Sequence, residues 1–228
     1  MKKHTFYTEF AYFFGIPILA LGTAFMEAAD FGVSMIVAPA YLLHLKLSQF
    51  LPFFTFGMAE YTFQAVLLLL LIAVLRRFKI SYLFSFVTAV IYGLVLDLNM
   101  FAVSFIPCET IPVRVIFYLV GMILGSIGIS MFFHTYISPE VYELFVKEAS
   151  AKYGVDIHKF KTIYDCVSCA AAIVMSFCFF GFGHFEGVKA GTILCALVNG
   201  WIIGRYTRIL EAKFAFTDRL RLRGFFEK

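Results

Sequence analysis

GMAEYTFQAVLLLLLIAVLRR, residues 57–77, is an apolar run of membrane-crossing length that opens on Glu60 and Gln64, passes through five consecutive leucines and stops at Arg76-Arg77. A carboxylate inside a helix surrounded by hydrocarbon is costly and needs a reason. The same arrangement returns in KTIYDCVSCAAAIVMSFCFF, residues 161–180, where Asp165 and Cys169 stand in the places of Glu60 and Gln64. The chain reads as one helical pattern written in two copies.

With 61% hydrophobic and 15% charged residues and a mean hydropathy of +0.87, the composition excludes a soluble domain and implies an integral membrane protein. The apolar runs are long and unbroken, which favours helices over barrel strands. A formal charge of +4 would suggest nucleic acid in a soluble protein, but here the basic residues lie at the ends of apolar runs, as topology signals. The expected partner is therefore the lipid bilayer, with no nucleic acid. The first apolar run has no small-residue cleavage pattern and is read as a span. Five cysteines, four of them inside expected spans, argue against a disulfide framework.

Charge-poor intervals predict spans at 10–29, 54–75, 80–98, 113–133, 161–181 and 189–207, each near the ~20 residues that cross hydrocarbon. If the N-terminus is cytoplasmic, sixteen Lys and Arg residues fall inside, Lys161 among them, against Lys46, Arg114 and Lys189 outside. The C-terminus is then cytoplasmic too. Between the first two spans, residues 34–50 read as a re-entrant or interfacial helix capped by Ser34. In the second half Ser138-Pro139-Glu140 reads as an N-cap, a first-position proline and an acidic first turn. Val141, Leu144, Phe145 and Ala149 then share one face against Glu143, Lys147, Glu148 and Lys152, so residues 138–153 are expected as an amphipathic helix on the inner membrane surface.

GIPILALG, residues 15–22, aligns with GMILGSIG, residues 121–128, and residues 85–93 align with 192–200. Gly32-Val33-Ser34 and Ile137-Ser138-Pro139, then Glu60 and Asp165, fall in the same order between them. The division is residues 1–110 and 111–210 as two repeats, with 211–228 as a basic cytoplasmic tail that touches anionic lipid. Three spans per copy bring the second copy in from the opposite side. The expected fold is thus an all-α membrane protein of six transmembrane helices, built as two inverted three-helix repeats, each with an interfacial or re-entrant amphipathic helix after its first span. Inverted repeats are a common architecture of secondary transporters. Gly121, Gly125 and Gly128, with Gly15 and Gly22, give smooth helix faces expected to meet at the repeat interface.

The glycine-rich first span, the Gly-Val-Ser turn, the segment LLHLKLS at residues 42–48 and the matching Ile137-Ser138-Pro139 turn resemble the YczE/YitT-type family of bacterial membrane proteins. The resemblance covers residues 12 to 210. It implies a multi-pass protein of the bacterial cytoplasmic (inner) membrane with duplicated halves, and carries no substrate, reaction or catalytic residue.

Glu60 with Gln64, and Asp165 with Cys169, put a carboxyl and a second polar group on one helix face in each half. These four and mid-span Asn199 are the candidate substrate or proton sites, set against hydrated or hydrogen-bonded carboxyls and an asparagine acting as interhelical glue. Glu27, Asp30 and Asp97 form a candidate outer vestibule, set against wet loop-edge carboxylates. His134 is expected at the inner interface. Cys166 and Cys169 form a C-x-x-C without a second pair or nearby histidines, and read as small packing residues. No nucleophile, metal-ligand or ATP-binding constellation appears, so no enzyme activity, metal or cofactor is expected. The leading reading is a secondary-type small-molecule transporter, with proton coupling as a variant and a substrate of cationic or zwitterionic character. The alternatives are a non-transporting scaffold or regulator acting through the tail, and the substrate-capture subunit of an ATP-driven importer. A homo-oligomer is left open.

Overall fold

A computed structural model describes residues 3–182, 186–220 and 222–226, with His158 and Phe225 described by their backbone alone. Lys2, Arg221 and Lys228, which entered the charge count, lie outside the described residues. In chain order the elements are strand β1 (His4–Tyr7), helices α1 (Thr8–Ala29), α2 (Ala38–Leu47), α3 (Phe56–Leu75), α4 (Ile80–Val103), α5 (Ile111–Phe132), α6 (Val141–Tyr153), α7 (Ile157–Phe180) and α8 (Ala190–Lys213), strand β2 (Phe214–Thr217) and the short α9 (Arg223–Phe226).

Among the described residues six helices, α1, α3, α4, α5, α7 and α8, are long and apolar enough to cross a membrane. Their outward faces carry leucines such as Leu69, Leu98 and Leu197, exposed by 68%, 66% and 73%. In water such a surface would aggregate, whereas lipid covers it. Helices α4 and α8 run past their expected ends. The charges that marked those ends are engaged rather than helix-terminating: Asp97 turns to the start of α3, and Arg208 donates to the Gly204 carbonyl at 3.1 Å.

Helix directions follow from the contacts. A Cβ built on Gly22 would lie 2.6 Å from the Gly125 nitrogen and 2.7 Å from the Gly121 oxygen, and one on Gly128 would lie 3.0 Å from the Gly15 oxygen. Early residues of α1 therefore face late residues of α5, and the two helices run antiparallel with their backbones touching. Tyr12 meets Thr88 at 2.8 Å and Thr23 meets Tyr92 at 2.9 Å, so α1 and α4 are parallel. Ser126 meets Asn199 at 2.8 Å and Ser130 the Ile203 carbonyl at 3.2 Å, so α5 and α8 are parallel as well.

The short helices cross between the halves. Helix α2 packs on α3 and α7, and α6 packs on α7 and α3. Lys46 of α2 donates to the Phe179 carbonyl at 3.1 Å near the end of α7, while Lys152 of α6 donates to the Val74 carbonyl at 2.8 Å near the end of α3. Each cation meets the negative end of a helix from the other half.

The strands β1 and β2 were not expected in an all-α fold, and the short helices differ from the sequence reading in three details. Ser34 does not cap α2 with its side chain: the N-cap is Val37, and the Ser34 carbonyl accepts from Val37 at 3.1 Å and Ala38 at 2.9 Å in a preceding turn. Nor does Ser138 cap α6, whose N-cap is Glu140; the Ser138 carbonyl instead accepts from the Thr88 hydroxyl at 2.9 Å. The first turn of α6 is buried all round, at Val141, Tyr142, Glu143 and Leu144, because it is wedged against α3, α4 and α7.

The chain ends also meet. β1 pairs in parallel with β2, His4 opposite Phe214, and the Arg219 and Leu220 amides donate to Glu9. His134 is half-buried beside them, stacked on Phe216 at 4.2 Å. Both chain ends therefore lie on one face, the terminal face, with the ends of α3, α5 and α8; α1, α4 and α7 end on the opposite, distal face.

The glycine seam makes a direct prediction. Gly22→Ala drives a methyl group into the backbone of α5 and is expected to destabilise by about 1–3 kcal/mol. Gly204→Ala meets nothing within 4 Å and is expected to be neutral or slightly stabilising. Reversible unfolding in mixed micelles compares the two.

Candidate functional site: a buried carboxyl cluster beside a central cavity

The site starts from the way α3 is anchored. Thr55 caps it, accepting from the Met58 amide at 3.1 Å, and Asp97 accepts from the Thr55 hydroxyl at 2.7 Å and the Gly57 amide at 2.8 Å. One and two turns further on, Glu60 and Gln64 point inward with no exposed surface. The Gln64 amide faces the start of α6. Its Oε1 accepts from the Val141 amide at 3.0 Å, and its Nε2 donates to Glu140 Oε2 at 2.8 Å and to Glu60 Oε2 at 3.4 Å. The Tyr142 hydroxyl adds a bond to Glu60 Oε2 at 3.0 Å. The second oxygens, Glu60 Oε1 and Glu140 Oε1, are buried without a hydrogen-bond partner among the described residues. Burial, followed by the nearby carboxyls of Glu143 and Glu60, holds Glu140 well above the ordinary carboxylate range.

A second chain of charges lies alongside. Lys161 Nζ sits 3.2 Å from Asp165 Oδ1 and 3.7 Å from Glu143 Oε1, and all three side chains are almost fully buried. Lys161 therefore does not act as the surface topology charge counted from sequence. Together the buried charged residues are Glu60, Glu140, Glu143, Asp165 and Lys161, four acids to one base among the described residues. Holding several unpaired ionised carboxylates out of water costs several kcal/mol each, so taking up protons or a cation would lower the energy of this cluster.

The cluster borders a cavity of about 40 Å³ between α1, α4, α5, α6 and α8, walled on its polar side by Thr23, Tyr92, Glu140, Tyr142, Glu143 and Asn199. This is room for roughly three water-sized groups. Glu143 also borders a cleft of about 210 Å³ with Pro139 and Lys147 near the terminal face. Met26 borders both the cavity and a distal depression that holds Glu27, Asp30, Tyr41 and Lys189. Met26 and Glu143 thus each line the cavity and one of the two outer depressions.

The residues expected from sequence are distributed around this space. Asn199 lines it and also accepts from Ser126, so it is both cavity wall and interhelical glue. Glu60 and Gln64 reach it through Tyr142 and Glu140, and Asp165 through Lys161 and then Glu143. Cys169 packs among Met35, Met122 and Cys195 in an apolar cluster, while Cys166 is exposed. Glu27 accepts from Tyr41 at 3.3 Å, and Asp30 pairs with Arg114 and Lys189, so that end of the vestibule carries both signs of charge. Asp97 stands apart from them, in α4, where it accepts from Thr55 and Gly57 at the start of α3. Sequence reasoning missed Glu140, Glu143 and Tyr142 because it laid α6 on the membrane surface. The available signal was the Ser-Pro-Glu turn itself, aligned with a turn that follows a span.

No group of three or more His, Cys, Asp and Glu among the described residues is placed to hold a metal ion. The chain matches no curated protein and no solved structure. Over residues 6–208 it matches the model of a family of unknown function, and so the chain belongs to DUF6198.

Proposed function

We propose that the chain is a secondary-type small-molecule transporter in which two inverted three-helix repeats alternate the access of a central cavity. The observation that carries this reading is a pair of charge locks, one on each face, that bridge the two halves. On the terminal face Lys79, the N-cap of α4, pairs with Glu148 of α6 at 3.2 Å, and Arg77 joins it at 2.5 Å. On the distal face Lys189, the N-cap of α8, pairs with Asp30 after α1, and Arg114 joins it at 3.0 Å. Each lock uses the lysine that opens the last span of one half and an acid of the other half. The antiparallel α1–α5 seam and the exchanged lysine caps, Lys46 on α7 and Lys152 on α3, support the same two-fold relation.

The locks are partly exposed, with Arg77 and Asp30 side chains 49% and 63% accessible. Such pairs are screened by solvent and hold weakly, which suits gates that open in turn. The buried acids favour a cationic or zwitterionic substrate, and proton coupling belongs to the same proposal. So do the YczE/YitT-type resemblance and an inner-membrane location with cytoplasmic termini. The described part of the tail is engaged by β1 and Glu9, which favours a transporter over a regulator acting through a free tail.

Access is tested with a single cavity reporter, Met122→Cys, in protein whose native cysteines are replaced by alanine, reconstituted in liposomes. Asp30→Asn is expected to raise labelling by an impermeant maleimide from the distal side alone, and Glu148→Gln from the terminal side alone. Identical labelling in both variants would remove the alternating-access reading.

The terminal lock also has a pH dependence. Burial opposes ionisation of Glu148, but Lys79, Tyr82 and Arg77 outweigh it and hold its carboxyl below 4.5. Its contribution to stability is therefore present above about pH 4.5 and is lost as pH falls through the lower folded value. The thermal midpoint of the native protein should exceed that of Glu148→Gln at pH 7, with the gap closing below pH 4.5.

A further inference from the structure

Lys161 is held in an unusual way. Its side chain is 6% exposed, and its ammonium is shared between Asp165 at 3.2 Å and Glu143 at 3.7 Å, over the Tyr164 ring, without a well-aligned hydrogen bond to either carboxyl. A lysine ammonium carries three donors. Of its two carboxyl neighbours Asp165 is the nearer, so the ammonium keeps a partner if Glu143 finds another cation. It also borders a groove of about 520 Å³ between α7 and α8, while Glu143 faces the central cavity. An ammonium withdrawn from Glu143 therefore keeps Asp165 and has space on its far side.

The cavity side is short of positive charge. Glu140 lines it, is 1% exposed, and has one oxygen without a hydrogen-bond partner among the described residues; Tyr92 and Tyr142 supply aromatic walls. A divalent metal lacks a ligand set here. A primary ammonium, by contrast, already sits beside Glu143 in the form of Lys161.

We propose that Glu143 is an ammonium-binding residue whose resting occupant is Lys161, and that a compact primary amine entering the central cavity takes Lys161's place, with Glu140 as its second acceptor. This rests on the transporter reading and adds to it the chemical class of the substrate. Lys161 then moves onto Asp165 when the amine binds and returns when it leaves, so Glu143 is never left buried as a bare carboxylate. No covalent step is involved. Because the cavity is small, at about 40 Å³, the amine is one of few heavy atoms.

The test is chemical rescue of the full-length protein in detergent, with methylammonium chloride as probe and sodium chloride or tetramethylammonium chloride at equal ionic strength as controls. Lys161→Met leaves Glu143 without its cation and is expected to lower the thermal midpoint. Methylammonium is expected to restore it by about 2–4 °C or more, with no such rise in sodium or tetramethylammonium. The native protein responds less, since Lys161 competes, and the double variant Glu143→Gln, Lys161→Met loses the response. Equal midpoints for Lys161→Met in all three salts, or an undiminished response in the double variant, would overturn the proposal. If Lys161→Met does not survive purification in sodium, purification in methylammonium must recover it; failure to do so also overturns the assignment. Reciprocal labelling of Met122→Cys without methylammonium rescue would leave the transporter standing and remove only its amine.

Discussion

Everything in the polar interior depends on one contact, the Gln64 amide against the first turn of α6. A helix start carries four N–H groups without partners inside the helix, and away from water each has to be met by something else. Gln64, from the other half of the chain, accepts from Val141 with its oxygen and donates to Glu140 with its nitrogen. That exchange lets α6 begin in the interior instead of at a wet surface, and it brings Glu140, Tyr142 and Glu143 to the cavity wall. In the other half Cys169 stands where Gln64 stands, and a thiol has no amide to offer. There α2 is preceded by its own turn on the Ser34 carbonyl, and the neighbourhood is apolar. Among the described residues, only the α6 crossing gathers buried carboxyls; the α2 crossing is apolar.

The forces that join the halves differ in kind along the bundle. At the centre, α1 and α5 touch through glycines so closely that there is no room for a methyl group between Gly22 and Gly125; such contact resists sliding. At the two faces the connection is by charged side chains in reach of water, with Lys79 and Arg77 on Glu148, and Lys189 and Arg114 on Asp30. A firm spine with weak ends is what a rocking element requires, and it is the distribution the transporter proposal uses.

Much of the frame was legible in the sequence. Apolar length gave the six spans, since hydropathy over some twenty residues is a strong signal. The glycine pairs were readable as smooth faces, and α1 and α5 meet along them. Glu60 and Asp165 were visible as carboxyls inside apolar runs, and both are buried. The losses have a common cause. Glu140, Glu143 and Lys161 were assigned to water because charge near a span end usually belongs there, and only tertiary packing reveals that α6 dips inward to shelter them. The strands β1 and β2 were missed because four-residue pairs carry little local signal, and their partner lies at the other end of the chain.

A double-mutant cycle between Gln64 and Glu140 tests the central contact most directly. Gln64→Ala and Glu140→Ala, singly and together, are compared by reversible unfolding in micelles. If the amide from one half satisfies the helix start and carboxyl of the other, the two losses are coupled by about 1 kcal/mol or more. Additivity within about 0.5 kcal/mol would mean that the two side chains do not meet, and that α6 does not enter the interior as described.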